Sequence, residues 1–535
     1  MIRLFDIILH LGESDGLIPQ KISELLGVSE RDVKLERIVK KSLDARRTRP
    51  ARFIYVVDIT LPDEQAVMNR VGQRLKWRTA PAESTAAHFS HPHKIPKKRP
   101  IIIGSGPAGL FSALTLASQG VPVLLLERGK PVHERVADID AFWKRGVFNR
   151  ESNVQFGEGG AGTFSDGKLT TRLREGNIAQ VKRIFVELGA PPEIESDGKP
   201  HIGTDKLREV VGNFRERLIG LGCEMRFNAR VTDIIVNATA EGQRLFSVVV
   251  DERDEIETDH LILAIGQSAS DTYQKLFERG VGLAAKPFAM GLRVEHPQEL
   301  IDRIQYGKWR HQELPPANYF LSANIAGLER GVYTFCMCPG GQIIGCSSAE
   351  EEVVTNGMSL YRRDNPYADS AVVVNIRTDD FAGKSPLEGI AFRREWEQRA
   401  FHFGGRNYRA PAQRLTDFVE GKESADIAPC SFKPGVTIAL LEGVLPSYVC
   451  KALRRGLILF NEKMPGFLTA EATLVGVETR TSSPVRVLRG EDGQSTTVRG
   501  LYPCGEGSGY AGGIMSSALD GIRAAQHILD DLAGG

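Results

Sequence analysis

Apolar and polar positions along the chain fall into stretches of different period. Met1–His10 and Arg52–Leu61 (RFIYVVDITL) are dense in Ile, Val, Phe and Tyr and read as strands. Ile18–Arg47, between them, is mostly charged and carries apolar residues at helical spacing over part of its length. Asp63–Trp77 reads as an amphipathic helix, so residues 1–87 predict a small α/β unit. Ala80–Pro100 is rich in Pro, His and Lys with no periodicity, and its later part, 88–99, is taken as a linker.

The pattern then changes to apolar strand, Gly turn, helix and apolar strand, the start of an open α/β domain. Its first part is assigned to 100–279. From 280 to 440 short β-like runs alternate with turns, among them Phe288–Val294, Gly331–Met337 and Ala371–Ile376. This predicts an antiparallel cap inserted in the α/β domain, to which the chain returns over 441–535. No internal repeat is present.

The turn after the first strand of this domain carries chemistry. RPIIIG (99–104) runs into Gly104-Ser105-Gly106-Pro107-Ala108-Gly109, then a helix through Gln119, then VPVLLL (121–126) ending at Glu127 and Arg128. In a dinucleotide fingerprint the first Gly permits the tight turn, the second lets backbone approach a pyrophosphate, and the third lets helix and strand pack closely. The helix N-terminus offers free N–H groups to phosphate. Glu127 is placed to accept from ribose hydroxyls and disfavours a 2′-phosphate. The fingerprint alone leaves NAD and FAD both open.

Two later segments decide between them. DHLILAIGQS (259–268) is an apolar strand ending in Ala264-Ile-Gly266, and RGLYPCGEGSGYAGGIMSSALDGIRAA (499–525) is a strand, a Gly-rich loop and a helix. They resemble the segments that close over FAD in flavoproteins of the fumarate-reductase and geranylgeranyl-reductase type. The whole chain resembles a family of bacterial FAD-dependent proteins with an extra N-terminal α/β domain. The resemblance implies a Rossmann-type FAD-binding domain, an inserted antiparallel β-rich cap and a small N-terminal α/β domain of ferredoxin-like type. It implies that Glu506, after Gly505, holds the ribityl chain. It also implies that Gly513 and Ile514 start a helix whose positive end faces the flavin pyrimidine. NVQFGEGGAGTFSDGKLTTR (153–172) is a second Gly-rich segment. Its Gly159, Gly160, Gly162, Thr163 and Ser165 are expected against the flavin and pyrophosphate, and the backbone of Val231 against adenine.

FAD carries the redox chemistry itself, so no triad or metal is required. The implied activity is that of an FAD-dependent oxidoreductase acting on a small-molecule substrate. Lys168 is a candidate positive charge near flavin or substrate. Cys336 and Cys338, two apart on a predicted strand, share a face and are a candidate redox dithiol. Arg480, or Arg486, is a candidate for binding an anionic substrate or donating a proton. His88, His91 and His93 sit in the linker without acidic or Cys partners, and no metal is expected. No second fingerprint for a nicotinamide nucleotide follows a strand, so NAD(P)H binding without one, or a protein electron donor, are both open.

Composition changes this picture little. Gly is high, 55 of 535 residues, and clusters in the loops named above. Seven Cys in such a length do not make a disulfide scaffold. With no signal-like start and no apolar stretch of bilayer length, a cytoplasmic protein with no membrane span is expected. Net charge is +1, yet residues 1–100 hold 19 Lys/Arg against 12 Asp/Glu. The basic run KKSLDARRTRPAR (40–52) therefore leaves a flavin-containing RNA-binding or RNA-modifying protein as the alternative reading.

Overall fold

The first apolar run becomes strand β1 (Ile2–His10), followed by α1 (Ile18–Leu26), β2 (Lys34–Asp44), β3 (Arg52–Thr60), α2 (Glu64–Val71) and β4 (Trp77–Thr79). These positions come from a computed structural model, which describes residues 1–46, 49–81, 95–171, 173, 177–240, 242–381, 383 and 385–534. The four strands form an antiparallel sheet in the order β2-β3-β1-β4, the split β-α-β-β-α-β arrangement. Leu4, Ile7, Leu9, Tyr55, Val57 and Ile59 face Ile18, Ile22, Leu26, Met68 and Val71 across its core. Two elements differ from the sequence reading. Lys34–Asp44 is an edge strand, paired only with β3, and apart from buried Asp44 its charged residues reach solvent, so only partial alternation marks it. The helix expected through Trp77 stops at Val71, where Gly72 turns the chain at φ 58°, and Trp77–Thr79 pairs with β1. Most of the linker, with His88, His91 and His93, lies outside the described residues.

Beyond it, β5 (Ile101–Ile103), α3 (Pro107–Ser118) and β6 (Leu124–Leu126) open a five-stranded parallel sheet. Its order is Leu501–Pro503, Leu261–Leu263, β5, β6, Glu224–Arg226, with every pair parallel. Four of the five are apolar and fully buried because both faces are covered, and only the edge strand Glu224–Arg226 is charged and partly exposed. Ile102, Leu125 and Ile262 face α3 and the last helix, Ile514–Gly534. Ile101, Ile103, Leu124, Leu126, Leu261 and Leu263 pack on the other side, against the antiparallel strands Val231–Thr239 and Gly242–Val250.

The third body is an eight-stranded sheet, antiparallel but for one pair. Its centre is Arg330–Gly345, Tyr367–Ile376, Phe288–Pro297 and Thr473–Glu478, side by side in that order. Helix Ser447–Lys463 lays Val449, Leu453, Leu457 and Phe460 on the same core as Val332, Val372 and Val374. The return expected at residue 441 therefore falls later. Residues 441–478 complete the cap core, and the chain rejoins the parallel sheet only at Leu501–Pro503. Hydrophobicity alone does not separate these runs, since both cores are equally apolar. The N-terminal unit is clasped to the rest by main-chain bonds, Lys41 N–H to Ser196 O (2.7 Å) and Gly198 N–H to Lys41 O (2.8 Å).

Candidate functional site

The carboxyl ends of the parallel strands bring the motifs together, as expected of an open α/β sheet. Gly104 turns at φ 98° with its Cα against Ala264 O, and Ala264 N–H donates to Ile103 O (2.9 Å). A Cβ on Gly109 would overlap Gly104 O, so the helix is pressed onto the strand turn. Gly106 caps α3 without any side-chain hydrogen bond, leaving the first N–H groups of the helix to an anion. Buried Glu127 takes Ser105 N–H (2.9 Å) and Ser105 Oγ–H (2.7 Å) on Oε2, and Gly129 N–H (2.9 Å) and Gly157 N–H (3.0 Å) on Oε1. It thus ties the fingerprint to the Gly-rich loop. These four bonds occupy the roughly four lone-pair directions of the carboxylate, so a ribose hydroxyl would share or replace one of them, Ser105 Oγ–H being the donor free to rotate away.

That loop folds back over the fingerprint. Gly159 N–H donates to Ser105 O (2.9 Å), and a Cβ on Gly160 would lie 3.0 Å from Gly106 Cα. One on Gly162 would lie 3.1 Å from Ile514 Cγ1, so loop, first helix and last helix converge. Thr163 and Ser165 serve the loop itself: Thr163 Oγ–H donates to Glu158 O and Ser165 Oγ–H to Gly162 O. Fully buried Arg135 braces the loop from beneath by donating to Asn153 O, Val154 O and Glu158 O. The sequence reading missed it, because a lone Arg in an amphipathic helix carries no signal of burial.

The C-terminal segment joins the same edge. Gly505 (φ 76°) packs on Ala108 and donates its N–H to Asp520 (2.8 Å), which Arg489 pairs bidentately at 2.7 and 3.0 Å. Glu506 and Glu127 therefore stand on one side of the sheet, three strands apart. Half-buried Glu506 accepts from Gln267 Nε2 (2.7 Å). Burial pushes its carboxyl up to about 7, against the opposing pull of Gln267 and Lys286. Cβ atoms built on Gly266, Gly512 and Gly513 meet nothing within 4 Å, and one on Gly106 meets only Gly160 Cα at 3.9 Å. Side chains are thus withheld along a groove between two helix starts, with a carboxylate at each end. An adenine–flavin dinucleotide fits that donor set.

The cap presents a charged cluster to this edge. Lys168, at the end of the Gly-rich loop, lies 3.2 Å from Asp166 and 3.8 Å from Cys338 Sγ. Burial works against its charge, but Asp166 and the two thiols hold its pKa up. Arg293 is fully buried between Asp369 (2.6 Å) and Glu478 (3.2 Å), and reaches Cys336 O (2.8 Å) and Cys338 Sγ (3.6 Å). Burial drives Asp369 up to about 8 and Glu478 up to about 7, because one guanidinium cannot neutralise both. Cys336 and Cys338 do share a site, though not by plain alternation. A bulge between Phe335 and Cys338 adds a residue, and Cys336 adopts φ 46°.

Four further candidates have protein partners of their own. Arg480 is locked between Glu397 (2.8 Å) and Glu352 (3.1 Å) and donates to Ser268 and Ser348, so its donors are engaged inside the protein. Its neighbour in the motif, Arg486, is exposed and lies over the Tyr510 ring. Arg128 pairs with Glu151 (2.8 Å) and Asp271 (3.0 Å) and stacks on Phe156, a strut behind the turn. The Val231 backbone pairs with Val250 in the antiparallel layer, and its side chain belongs to the core behind the parallel sheet.

A parallel sheet with this fingerprint, Gly-rich loop and C-terminal Gly-Glu turn defines an FAD-binding flavoprotein of Rossmann type. Residues 99–136 match the family described as "FAD binding domain", and 287–481 match "FAD-dependent protein, C-terminal domain-like". Residues 1–60 match a domain of unknown function. The chain belongs to a family of bacterial FAD-dependent proteins, being 42% identical over 532 residues to an uncharacterized protein of Clostridium beijerinckii, across 99% of this chain and 98% of the other. Among solved structures it is similar to the glycerol-3-phosphate dehydrogenase from Bacillus halodurans complexed with FAD. That match has 12% identity over 83% of this chain and 66% of that one, with TM-score 0.34. It is also similar to the flavin-dependent brominase Bmp2, at 13% identity over 82% and 80%, with TM-score 0.36.

Proposed function

We propose that this FAD-dependent enzyme is an oxidoreductase that moves hydride or electrons between FAD and a small-molecule substrate held against the cap. One observation carries the reading. The loop that closes over the fingerprint ends at Lys168, and Lys168 touches Cys338 of the cap, so the dinucleotide groove and the cysteine-bearing strand meet. FAD, when bound, supplies the two-electron chemistry. The chain's residues supply the setting. Lys168 and the start of the helix at Ile514 place positive charge beside the groove, which favours a reduced, anionic ring. Glu506, with its carboxyl near neutrality, can hold or release a proton there. A cavity of about 330 Å³ in the cap is lined by Pro287, Ala289, Tyr333, Asn375, Arg377 and Ser482. Neither it nor a hollow of about 400 Å³ around Asp302, Tyr306 and His311 shares a lining residue with the groove.

The test is spectroscopic. The purified protein is expected to be yellow, and anaerobic titration with NADH, NADPH or a reduced protein donor to bleach it. A colourless chain that takes up no FAD, or a bound flavin that no donor bleaches, overturns the proposal.

A further inference from the structure

Cys336 and Cys338 sit where a purely structural pair would not need to be. The bulge takes Cys336 out of the ladder and into the left-handed region, a conformation unfavourable for a non-glycine residue. It leaves Cys336 partly accessible and Cys338 fully enclosed. The Cys338 thiol donates to the main-chain oxygen of Cys336 at 3.3 Å, which folds the two residues onto each other. Two cations attend them: Arg293 Nη2 is 3.6 Å and Lys168 Nζ 3.8 Å from Cys338 Sγ. Arg363 adds a third positive charge, paired with Asp166 at 2.6 Å. Against these three stand Asp166 and the Asp369–Glu478 pair, whose second carboxyl resists ionisation while sharing Arg293. Cys336 is also within electrostatic reach of Glu506 in the C-terminal FAD segment.

We propose that Cys336 and Cys338 are a second two-electron centre, which exchanges electrons with FAD by interconverting a dithiol and an intrachain disulfide. The assignment rests on the oxidoreductase reading. In the oxidative direction the Cys336 thiolate and the Cys338 thiol form one S–S bond, and the Cys338 S–H bond breaks. Two electrons and that proton pass to oxidised FAD, which becomes the reduced anion. One negative charge and one proton stand on each side of the step. The thiolate falls to Cys336, whose pKa the neighbouring Cys338 thiol, Lys168 and Arg293 lower against the cost of burial. Cys338, correspondingly, is held up as the protonated partner.

The test counts electrons in the air-oxidised holoprotein. Anaerobic dithionite titration is expected to consume two electrons for the flavin and two more for the disulfide. Cys336→Ser and Cys338→Ser each remain yellow and consume only the flavin's two. In parallel, differential alkylation and peptide mass on the wild-type chain read the sulfurs directly, whether or not the variants fold. The peptide is expected to be closed after oxidation and to take two alkyl groups after reduction. A flavin that bleaches while that peptide stays a dithiol throughout overturns the proposal and leaves the oxidoreductase reading standing. A flavin that no donor bleaches removes that reading and this one with it.

Discussion

At Gly109 a single hydrogen separates helix from strand turn, because Gly104 O occupies the place a methyl would take. Gly109→Ala must push α3 off the sheet. The expected cost is about 1–3 kcal/mol of overpacking, with most bound FAD lost on purification. The ratio of flavin to protein absorbance and a denaturant titration check both. A second single-residue effect concerns pH. Asp369 and Glu478 are raised by burial to about 8 and about 7, so they favour folding below the ordinary carboxylate range. That contribution is lost as pH rises through their folded values. His296, which burial pushes down to about 4, has the opposite sense, but only below about 6.5. The apoprotein's Tm is therefore expected to fall between neutrality and about pH 8, and Asp369→Asn to flatten that slope.

Between elements, buried polar contacts do what apolar packing cannot, and they were the least legible part of the sequence. Arg480, from the turn after Thr473–Glu478, grips Glu397 on helix Glu388–Phe403. Burial alone would raise Glu397, yet Arg480 holds it at about 2. Arg480→Ala removes the counter-charge that Glu397 and Glu352 share and leaves each one arginine, Arg393 at 3.6 Å from Glu397 and Arg394 at 3.1 Å from Glu352, so a loss of about 3 kcal/mol, the low end for a broken buried pair, is expected in urea unfolding. A substrate-binding arginine would instead leave stability intact and raise KM. The fingerprint, by contrast, was readable because its strand, turn, helix and acid are contiguous, so local spacing encodes the geometry. Glu506 was readable from the Gly-rich loop beside it. Asp520, Arg489 and Gly521 were not, since what they touch lies elsewhere in the chain: Gly521 packs on Ala108 of α3, some four hundred positions earlier. The bulge at Cys336 was invisible for a related reason. Period-two alternation signals a strand, and the inserted residue shows only in the register with Tyr367–Ile376.

For the whole molecule, the basic N-terminal unit is the feature that composition overstated. Asp44 collects Arg46 (2.7 Å), Arg49 (2.5 Å) and Arg52 (3.4 Å), and Lys41 pairs with Asp15 (3.0 Å) while its backbone clasps residues 196 and 198. Charges gathered on an internal acid and an interface make a poor phosphate track. The full chain is therefore expected to show no retention on RNA at low salt; salt-sensitive binding would revive the alternative reading. Among the described residues no helix is long and apolar enough to cross a membrane.

The parallel sheet also has a history built into its order. The strand Leu501–Pro503 and the helix after it leave the ribosome hundreds of residues after the strands and the helix they flank. A nascent chain can assemble its N-terminal unit and cap while the nucleotide groove still lacks one wall. Loading with FAD thus waits for that strand and helix to emerge. A chain interrupted within the helix Ile514–Gly534 would be caught as a folded cap beside an unfinished, colourless partner.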